Sequence, residues 1–376
     1  MTTVVGSCPT YHYAPTVDCI GVRCVHTARQ GAPPEPNDQQ PRSTMSSKST
    51  TTIPSTTDAG APSTITTGLG IVVPACNGNQ RNLPPGLTWR RDITRKRCSS
   101  VVVATDATKR RWVVKLFDET PRDPGPGSVL IEDPLKERNI LQKLSALGRQ
   151  SSIDIMWPYH YMPGSMVFPE AEQGDLHGAL EDGWWCKEVC LPDRLRGVHG
   201  IFRAVKFLHA HGVAHRDISA ENILVTDGGR RLLLTDMGQA LCSVDGPPGL
   251  RPFDMVGKVA YRDPDQHRGR EYSPFAADVF ALGVVLFLSA SGGTPPFESA
   301  SDDDPVWSYL SLGGPSMALR LDAVCQRWGL GVDNRVFPVV AMAFAERVTR
   351  PDAALLTRAM SRLDRTPGVG FGTHCV

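Results

Sequence analysis

The side chains best suited to chemistry stand in one short polar segment, residues 215–222, which reads His-Arg-Asp-Ile-Ser-Ala-Glu-Asn. An Asp-Met-Gly element follows at residues 236–238. A carboxylate can accept a proton from a hydroxyl group, and carboxylate or amide oxygens are the ligands that Mg²⁺ prefers. Because Asn222 comes only five positions after Asp217, one loop would hold a candidate base and a candidate metal ligand together.

The order of these residues resembles that of the eukaryotic protein kinases, whose H-R-D-x-x-x-x-N loop and D-F-G element have the same spacing. The resemblance implies that Asp217 accepts or orients the proton of a substrate hydroxyl, while Asn222 and Asp236 bind Mg²⁺. It further implies that the γ-phosphoryl group of ATP is transferred to a protein substrate. A polar loop that only caps helices would explain each residue singly, but not their order.

Two upstream residues extend the resemblance. Lys115 ends a run that is similar to the family's V-A-I-K strand, and Glu137 stands in the next helical pattern as its partner. A lysine at a strand end is more often solvated and a helical glutamate is usually a surface charge, but their order relative to the catalytic loop favours the paired, catalytic role. The resemblance assigns the nucleotide contacts to Lys115, Val101, Val113, Ala171, Asp175 and Leu224, with Phe168 as the gatekeeper.

Downstream, residues 257–265 are similar to the G-T-x-x-Y-x-A-P-E sequence that ends the family's activation segment. The resemblance implies that Asp265, in place of the family's glutamate, forms a buried structural pair with Arg350. It also implies that Asp278 holds the backbone of the catalytic loop.

The region before Lys115 departs from the family pattern, because no glycine-rich loop precedes it and residues 94–101 contain no glycine. Glycines let a backbone close over phosphates without side-chain obstruction. Arg95, Lys96 and Arg97 could offer charge to the triphosphate instead, or form an exposed basic strand edge. The departure leaves open an alternative in which the chain is a pseudokinase that acts as a nucleotide-binding or scaffolding module.

A second departure concerns Ser219, which occupies the position where serine/threonine kinases carry a lysine that steadies the γ-phosphate. Lys258 occupies the position of the threonine in the family's G-T pair, which lies beside the catalytic loop. We therefore expect Lys258 to take over the role of the absent lysine, so that Ser219 and Lys258 are an exchanged pair. A lysine that only contributes charge to the substrate groove is the competing interpretation.

The activation segment also has few sites for phosphorylation. Between Met237 and Asp265 the only serine or threonine is Ser243. The position that the family usually phosphorylates is Asp254, a carboxylate that could pair with Arg216 without modification. We expect activity that does not require phosphorylation of this segment.

Around these motifs the sequence predicts a two-lobed α+β fold, with a small β-rich lobe before a larger helical lobe. Two β-branched runs, 101–104 and 112–117, flank a polar turn and predict a hairpin. A helix is expected from Asp133 onwards, followed by a strand at 166–168. Further helices are predicted at residues 195–210, 276–289, 315–328, 337–347 and 353–362.

Composition sets the boundaries of this domain. In residues 43–67, 15 of 25 residues are serine or threonine, which is too polar a stretch to offset the entropy of ordering. We therefore predict a disordered Ser/Thr/Pro-rich tail at residues 1–87, a protein kinase domain at 88–365 and a C-terminal tail at 366–376. The tail also accounts for part of the high count of 35 glycines and 31 prolines.

Charge and apolar patterning restrict the partners. A net charge of +1 disfavours nucleic acid as a charge-driven partner, and the apolar run 279–290 is shorter than a membrane span needs. Ten cysteines without zinc-ligand spacing or a secretion signal favour reduced thiols and an intracellular, cytoplasmic location. The expected enzyme is a serine/threonine-protein kinase, because residues 220–222 resemble the K-P-E-N ending. A small-molecule phosphotransferase is the remaining alternative, but such enzymes generally lack the H-R-D sequence.

Overall fold

A computed structural model describes residues 65–66, 72–73, 83–95, 99–117, 133–148, 152–242, 255–312 and 316–363. Most of the predicted N-terminal tail and all of the predicted C-terminal tail lie outside these residues. The chain divides into two compact units, Met1–Ala75 and Cys76–Val376. In the first unit, strand β1 (Ile65–Thr66) pairs antiparallel with β2 (Val72–Val73). All the residues considered below belong to the second unit.

The second unit begins with a five-stranded antiparallel sheet in the order β3-β4-β5-β7-β6. The predicted hairpin and the predicted third strand are both present. The hairpin turn is fixed by Asp106, whose carboxylate accepts hydrogen bonds from the backbone of Thr108 and Arg110, as aspartates in turns commonly do. The strands are β3 (Thr88–Arg95), β4 (Ser99–Thr105), β5 (Arg111–Phe117), β6 (His160–Met162) and β7 (Ser165–Pro169).

The two faces of this sheet have different partners, because successive side chains of a strand point to opposite sides. One face carries a small apolar cluster of Val102, Ala104, Trp112, Val114 and Val167. Leu83 and Leu87 pack against this cluster, so the folded unit starts a few residues before the predicted boundary at residue 88. The other face carries the side chains of β5 that alternate with the cluster. Among them are Val113 and Lys115, two of the residues predicted to contact the nucleotide.

Helix α1 (Pro134–Ala146) follows the sheet and confirms the prediction of a helix after Asp133. The carboxylate of Asp133 accepts hydrogen bonds from the backbone N–H groups of Leu135 and Lys136, and proline occupies the first turn, where it loses no helical bond. The helix buries Ile140, Leu141 and Leu144 together with one charged side chain, Glu137. A buried glutamate needs a polar or charged partner, and for Glu137 this partner is Lys115.

A helical lobe follows. Its central helix α6 has a mean hydropathy of 1.8 and, by length and composition alone, could cross a membrane, but 83% of its residues are buried inside the lobe. It is the core helix against which α4 and α9 pack. The helices are α2 (Leu176–Glu181), α3 (Trp184–Glu188), α4 (Leu191–Ala210), α5 (Pro264–His267), α6 (Pro274–Ser291), α7 (Pro305–Leu310), α8 (Met317–Trp328), α9 (Phe337–Ala343) and α10 (Ala353–Leu363).

The five predicted helices of this lobe are present with altered ends. The prediction of one helix over residues 337–347 was wrong in length, because α9 ends at Ala343 and Phe344 caps it. Phe344 turns into a cluster of aromatic rings with Phe280, Phe297 and Trp307, all within 6.1 Å between ring centroids. The chain beyond it runs as turns towards Arg350. Because α9 ends early, Arg350 lies in this stretch of turns and not in the helix.

Candidate active site

Two short strand pairs hold the predicted catalytic residues. The loop of residues 215–222, hereafter the catalytic loop, runs between β8 (Val213–Ala214) and β9 (Ile223–Thr226). The Asp-Met-Gly turn runs between β10 (Arg231–Leu234) and β11 (Leu241–Cys242). Because β9 pairs with β10 and β8 pairs with β11, the two polar elements are brought to the same place.

Asp278 anchors the catalytic loop, as predicted. Its carboxylate accepts hydrogen bonds from the backbone N–H groups of His215 and Arg216, each at 2.7 Å. It also lies 2.9 Å from Nε2 of His209. Asp278 is 1% exposed, so these bonds form in a low-dielectric interior where they are strong. They hold Arg216 at a φ of 69°, a conformation that a non-glycine residue keeps only when its surroundings enforce it.

The two carboxylate oxygens of Asp217 have different surroundings. Oδ2 accepts hydrogen bonds from Nδ2 of Asn222 at 2.8 Å and from Nε2 of Gln239 at 3.0 Å. Oδ1 is buried and accepts no hydrogen bond from the described residues, with Nζ of Lys258 3.6 Å away. Burial raises the pKa of Asp217, against the opposing effects of Lys258, His215 and Asn222. Oδ1 is thus the carboxylate oxygen whose hydrogen-bonding capacity the described residues do not use.

Lys115 and Glu137 form the predicted pair. Nζ of Lys115 lies 2.5 Å from Oε2 of Glu137 and 2.9 Å from Oδ1 of Asp236. Burial alone would lower the pKa of Lys115, but the two carboxylates outweigh burial and raise it above the ordinary value. The pair therefore joins the sheet to α1, and its second contact reaches the Asp-Met-Gly turn.

The predicted metal ligands are brought together by the backbone, because the N–H of Thr235, the residue before Asp236, donates to the carbonyl oxygen of Asn222 at 3.0 Å. The carbonyl oxygen of Asp217 can only accept a hydrogen bond, and Nδ2 of Asn222 donates to it at 2.8 Å, so the amide oxygen of Asn222 faces away. Asp236 has a φ of 62°, the second strained position of the site. One carboxylate and one amide oxygen fit Mg²⁺, which commonly takes only one or two protein ligands together with phosphate and water oxygens.

The predicted nucleotide residues line the sheet and the helical lobe. Val101 lies opposite Lys115 across β4 and β5, and Val113 lies opposite Phe168 across β5 and β7. On the other side, Leu224 and Asp175 form a backbone bridge, and Ala171 is half-buried. One carboxylate oxygen of Asp175 caps α2 by accepting from the N–H of Gly178 at 2.9 Å. The other oxygen takes no part in this cap.

Of the three basic residues that could offer charge to the triphosphate or form an exposed strand edge, Arg95 is exposed at the end of β3. Lys96 and Arg97 lie outside the described residues, as does Asp254, so the predicted pair of Asp254 with Arg216 lies outside them too. Within the described residues, Arg216 donates to the hydroxyl of Tyr272 at 3.4 Å.

Lys258 lies beside the catalytic loop at the position from which it could replace the absent lysine. Its Nζ donates to Oγ of Ser219 at 2.8 Å while facing Asp217. The backbone before it is pressed against the loop: a Cβ on Gly257 would lie 2.8 Å from the carbonyl oxygen of Arg216, and its φ is +76°. Only glycine fits this position without strain.

The predicted pair of Asp265 with Arg350 is wrong. Arg350 pairs with Asp263, and both side chains are 2% exposed, whereas Asp265 lies 3.4 Å from Arg347. Asp263 is the N-cap of α5 and forms a capping box with Gln266. The cap turns its carboxylate back into the lobe, while Asp265 lies in the first helical turn nearer to solvent.

Sequence reasoning missed Gln239. Its side chain spans two parts of the site, because Nε2 donates to Asp217 and Oε1 accepts the N–H of Gly257 at 2.9 Å. These partners are 22 and 18 positions away along the chain, so only its place directly after Asp-Met-Gly could have drawn attention to it.

Comparison with known proteins gives the same assignment. A family model for the protein kinase domain matches residues 96–312. A meiosis-specific serine/threonine-protein kinase, mek1 of Schizosaccharomyces pombe, is 32% identical over 195 residues, which are 46% of this chain and 42% of the relative. The serine/threonine-protein kinase chk-2 of Caenorhabditis elegans is 40% identical over 104 residues, 27% of this chain and 20% of the relative.

A dual serine/threonine and tyrosine protein kinase of Strongylocentrotus purpuratus is 27% identical over 171 residues, 45% of this chain and 17% of the relative. The matched segments thus cover less than half of each of these three relatives. The family model, by contrast, spans more than half of the chain and includes Lys115, Asp217 and Asp236 in their expected order. With the two-lobed fold and the catalytic loop in place, the chain belongs to the protein kinase family.

Proposed function

We propose that this protein transfers the γ-phosphoryl group of ATP to serine or threonine hydroxyls of protein substrates, with Mg²⁺ as the metal. The observation that carries the proposal is the state of Asp217. Its Oδ2 is held by two N–H donors, while its Oδ1 lies beside Lys258 and accepts no hydrogen bond from the described residues. A carboxylate arranged in this way is suited to receive a hydroxyl proton.

Each residue of the site has its own role in the proposed reaction. Bound Mg²⁺-ATP would supply the transferred group and neutralise its developing charge, with Asn222 and Asp236 as metal ligands. Lys115, fixed by Glu137, offers a permanent positive charge to the phosphates from the sheet side. Asp217 orients the substrate hydroxyl and accepts its proton at Oδ1. Because the groups are fixed before substrate arrives, little reorganisation is needed during the transfer.

Lys258 supplies the charge that the catalytic loop lacks. In this proposal it steadies the transferred phosphoryl group from the activation segment, while Ser219 holds its ammonium group in place. A lysine that served only the substrate groove would have no need of the buried serine, which is 0% exposed. The 3.6 Å separation from Asp217 also favours the charged form of the base.

The preference for serine and threonine rests on the catalytic loop and on the matched relatives. Residues 220–222 resemble the ending typical of serine/threonine kinases, and relatives with that description include mek1 and chk-2. A relative described as a dual serine/threonine and tyrosine kinase also matches, so the residue type that accepts the phosphate has to be determined by experiment.

The alternative is a pseudokinase that binds nucleotide or partners without turnover. The absence of glycines in residues 94–101 favours this alternative. Two sets of contacts oppose it: Lys115 pairs with Glu137 and Asp236, and Asn222 donates to Asp217. A scaffold would have no need to keep these contacts.

Phosphate transfer from radiolabelled Mg²⁺-ATP to casein separates the two functions. We expect transfer by the wild type, loss with Asp217→Asn or Lys115→Met, and no change with Asp227→Asn, a matched substitution in an exposed turn. Analysis of the phosphorylated residues then reports serine and threonine or tyrosine. Equal signal from the wild type and both site variants, with ATP binding retained in calorimetry, would support the scaffold.

A further inference from the structure

Gln239 lies at the start of the activation segment and contacts the catalytic base directly. The orientation of its amide follows from its partners. The N–H of Gly257 can only donate and therefore faces Oε1, at 2.9 Å, which leaves Nε2 to donate to the carboxylate of Asp217, at 3.0 Å. Both polar atoms of one side chain are thus used within the site.

These two bonds connect points that are far apart in the sequence. Gln239 directly follows the Asp-Met-Gly turn, and Gly257 directly precedes Lys258, so the side chain joins the two ends of the activation segment at Asp217. The backbone at Gly257 already lies against the carbonyl oxygen of Arg216, with no room for a Cβ. The amide of Gln239 fixes how that backbone is placed, and with it the approach of Lys258 to Ser219 and Asp217.

We propose that Gln239 is a positioning residue that orients Asp217 and holds the end of the activation segment against it without a phosphate on the segment. The proposal rests on the phosphotransfer activity proposed above. By holding Oδ2, Gln239 fixes the orientation of the Asp217 carboxylate. By holding Gly257, it keeps the end of the activation segment beside Asp217 without the help of a phosphorylated side chain.

The composition of the segment agrees with this role. Between Met237 and Asp265 the only serine or threonine is Ser243, four positions after Gln239. A phosphate there would lie at the beginning of the segment, away in sequence from Gly257. The bond between Gln239 and Gly257 provides a closing contact that is present in the unmodified chain.

Two substitutions separate the functions of the amide. Gln239→Met keeps the approximate shape and removes both bonds. Gln239→Glu keeps an acceptor for Gly257 and replaces the donor to Asp217 with a second negative charge. Gln326 provides a matched control, because its Nε2 donates to Asp322 at 2.8 Å on the exposed surface of α8, and Gln326→Met and Gln326→Glu repeat the chemistry outside the site.

The first readout is the separate effect on kcat and on KM with casein as acceptor, using phosphatase-treated protein. A hydrogen bond to a charged group contributes about 1.5–3 kcal/mol, which corresponds to a fall in kcat of roughly 10- to 100-fold in both Gln239 variants. We expect the larger fall in Gln239→Glu, which places a second negative charge beside Asp217. KM for ATP should change little, because Gln239 contacts neither Lys115 nor the sheet residues of the nucleotide pocket.

The second readout is hydrogen–deuterium exchange of the peptide that covers residues 255–262. Exchange should increase in Gln239→Met and stay close to wild type in Gln239→Glu, and both Gln326 variants should match wild type throughout. Unchanged kcat in Gln239→Met would overturn the proposal. So would an activity loss that appears mainly as a rise in KM for ATP, because a general disturbance of the fold would produce that result.

Exchange also distinguishes failure of this proposal from failure of the proposed function. If the wild type shows no Asp217-dependent transfer, the proposed function is wrong, and the Gln239 variants then test only the closing contact. Increased exchange in Gln239→Met alone would support that contact. Equal exchange in wild type and Gln239→Met would exclude it whatever the activity.

Discussion

Nζ of Lys258 lies 2.8 Å from Oγ of Ser219 and 3.6 Å from Oδ1 of Asp217, so the positive charge nearest to the base among the described residues comes from the activation segment. Serine/threonine kinases usually carry this charge on the catalytic loop itself, two positions after the catalytic aspartate. Here the loop contributes the hydroxyl and the segment contributes the lysine. The charge is therefore in place only when the segment lies against the loop.

Lys258→Met should lower kcat by about 10²- to 10³-fold, since removing one preorganised electrostatic contact to the reacting group commonly has an effect of this size. The double exchange Ser219→Lys with Lys258→Thr returns the charge to the catalytic loop and should recover a large part of the loss. Steady-state assays with casein measure both. Lys206→Met, which removes an exposed lysine of α4, is the control. A kcat close to wild type in Lys258→Met contradicts the exchange.

The ion pair between Lys115 and Glu137 should contribute to stability as well as to activity. Lys115→Met leaves Glu137 buried without compensation, and breaking a buried pair in this way costs about 3–5 kcal/mol. Lys115→Met combined with Glu137→Gln removes the buried charge and should regain most of that loss. Urea unfolding measures the difference in midpoint.

Arg111 and Glu170 provide the control for that series, because they lie 2.6 Å apart but Arg111 is 56% exposed. Arg111→Met should change the free energy of unfolding by about 1 kcal/mol or less, as exposed pairs do. A double variant no more stable than Lys115→Met would mean that charge burial is not the cause of the loss.

Asp263, and not Asp265, should be the acid on which the end of the activation segment depends. Asp263→Asn keeps the helix cap but leaves the guanidinium of Arg350 buried without its charge partner, and we expect a loss of about 3–5 kcal/mol. Asp265→Asn removes a partly exposed contact to Arg347 and should cost about 1 kcal/mol or less. Thermal unfolding of the two matched variants decides between them, and a larger effect at Asp265 would contradict the observed pairing.

The sequence allowed prediction of those parts of the site that follow one another closely or in a fixed order. Asp217 and Asn222 share one loop, and Lys115 and Glu137 stand at the end of a strand and in the next helix, so their order alone indicated contact. The predicted pair of Asp265 with Arg350 was wrong because a linear sequence pattern cannot show which carboxylate a helix cap turns towards the core. Gln239 was missed because both its partners come from distant parts of the chain.

Asp217→Asn should stabilise the fold while it abolishes transfer. Burial raises the pKa of Asp217 above its ordinary value of 3.8, so ionisation of this carboxyl is less favourable in the folded protein than in the unfolded chain. Below about pH 3.8 the group is neutral in both states and carries no penalty. As pH rises through the shifted pKa, the folded state bears the cost of the buried charge and the wild type loses stability.

The amide introduced by Asp217→Asn is neutral at every pH, so the advantage of this variant over wild type should be absent at low pH and grow towards neutrality. Paired unfolding curves from about pH 4 to about pH 8 measure the difference, with Asp227→Asn as the exposed control. A lower stability of Asp217→Asn near neutral pH, or a difference that does not change with pH, would show that the hydrogen bonds to Asp217 outweigh its burial. The expected result would mean that the fold gives up stability to keep a charged base at the site, as functional residues often require.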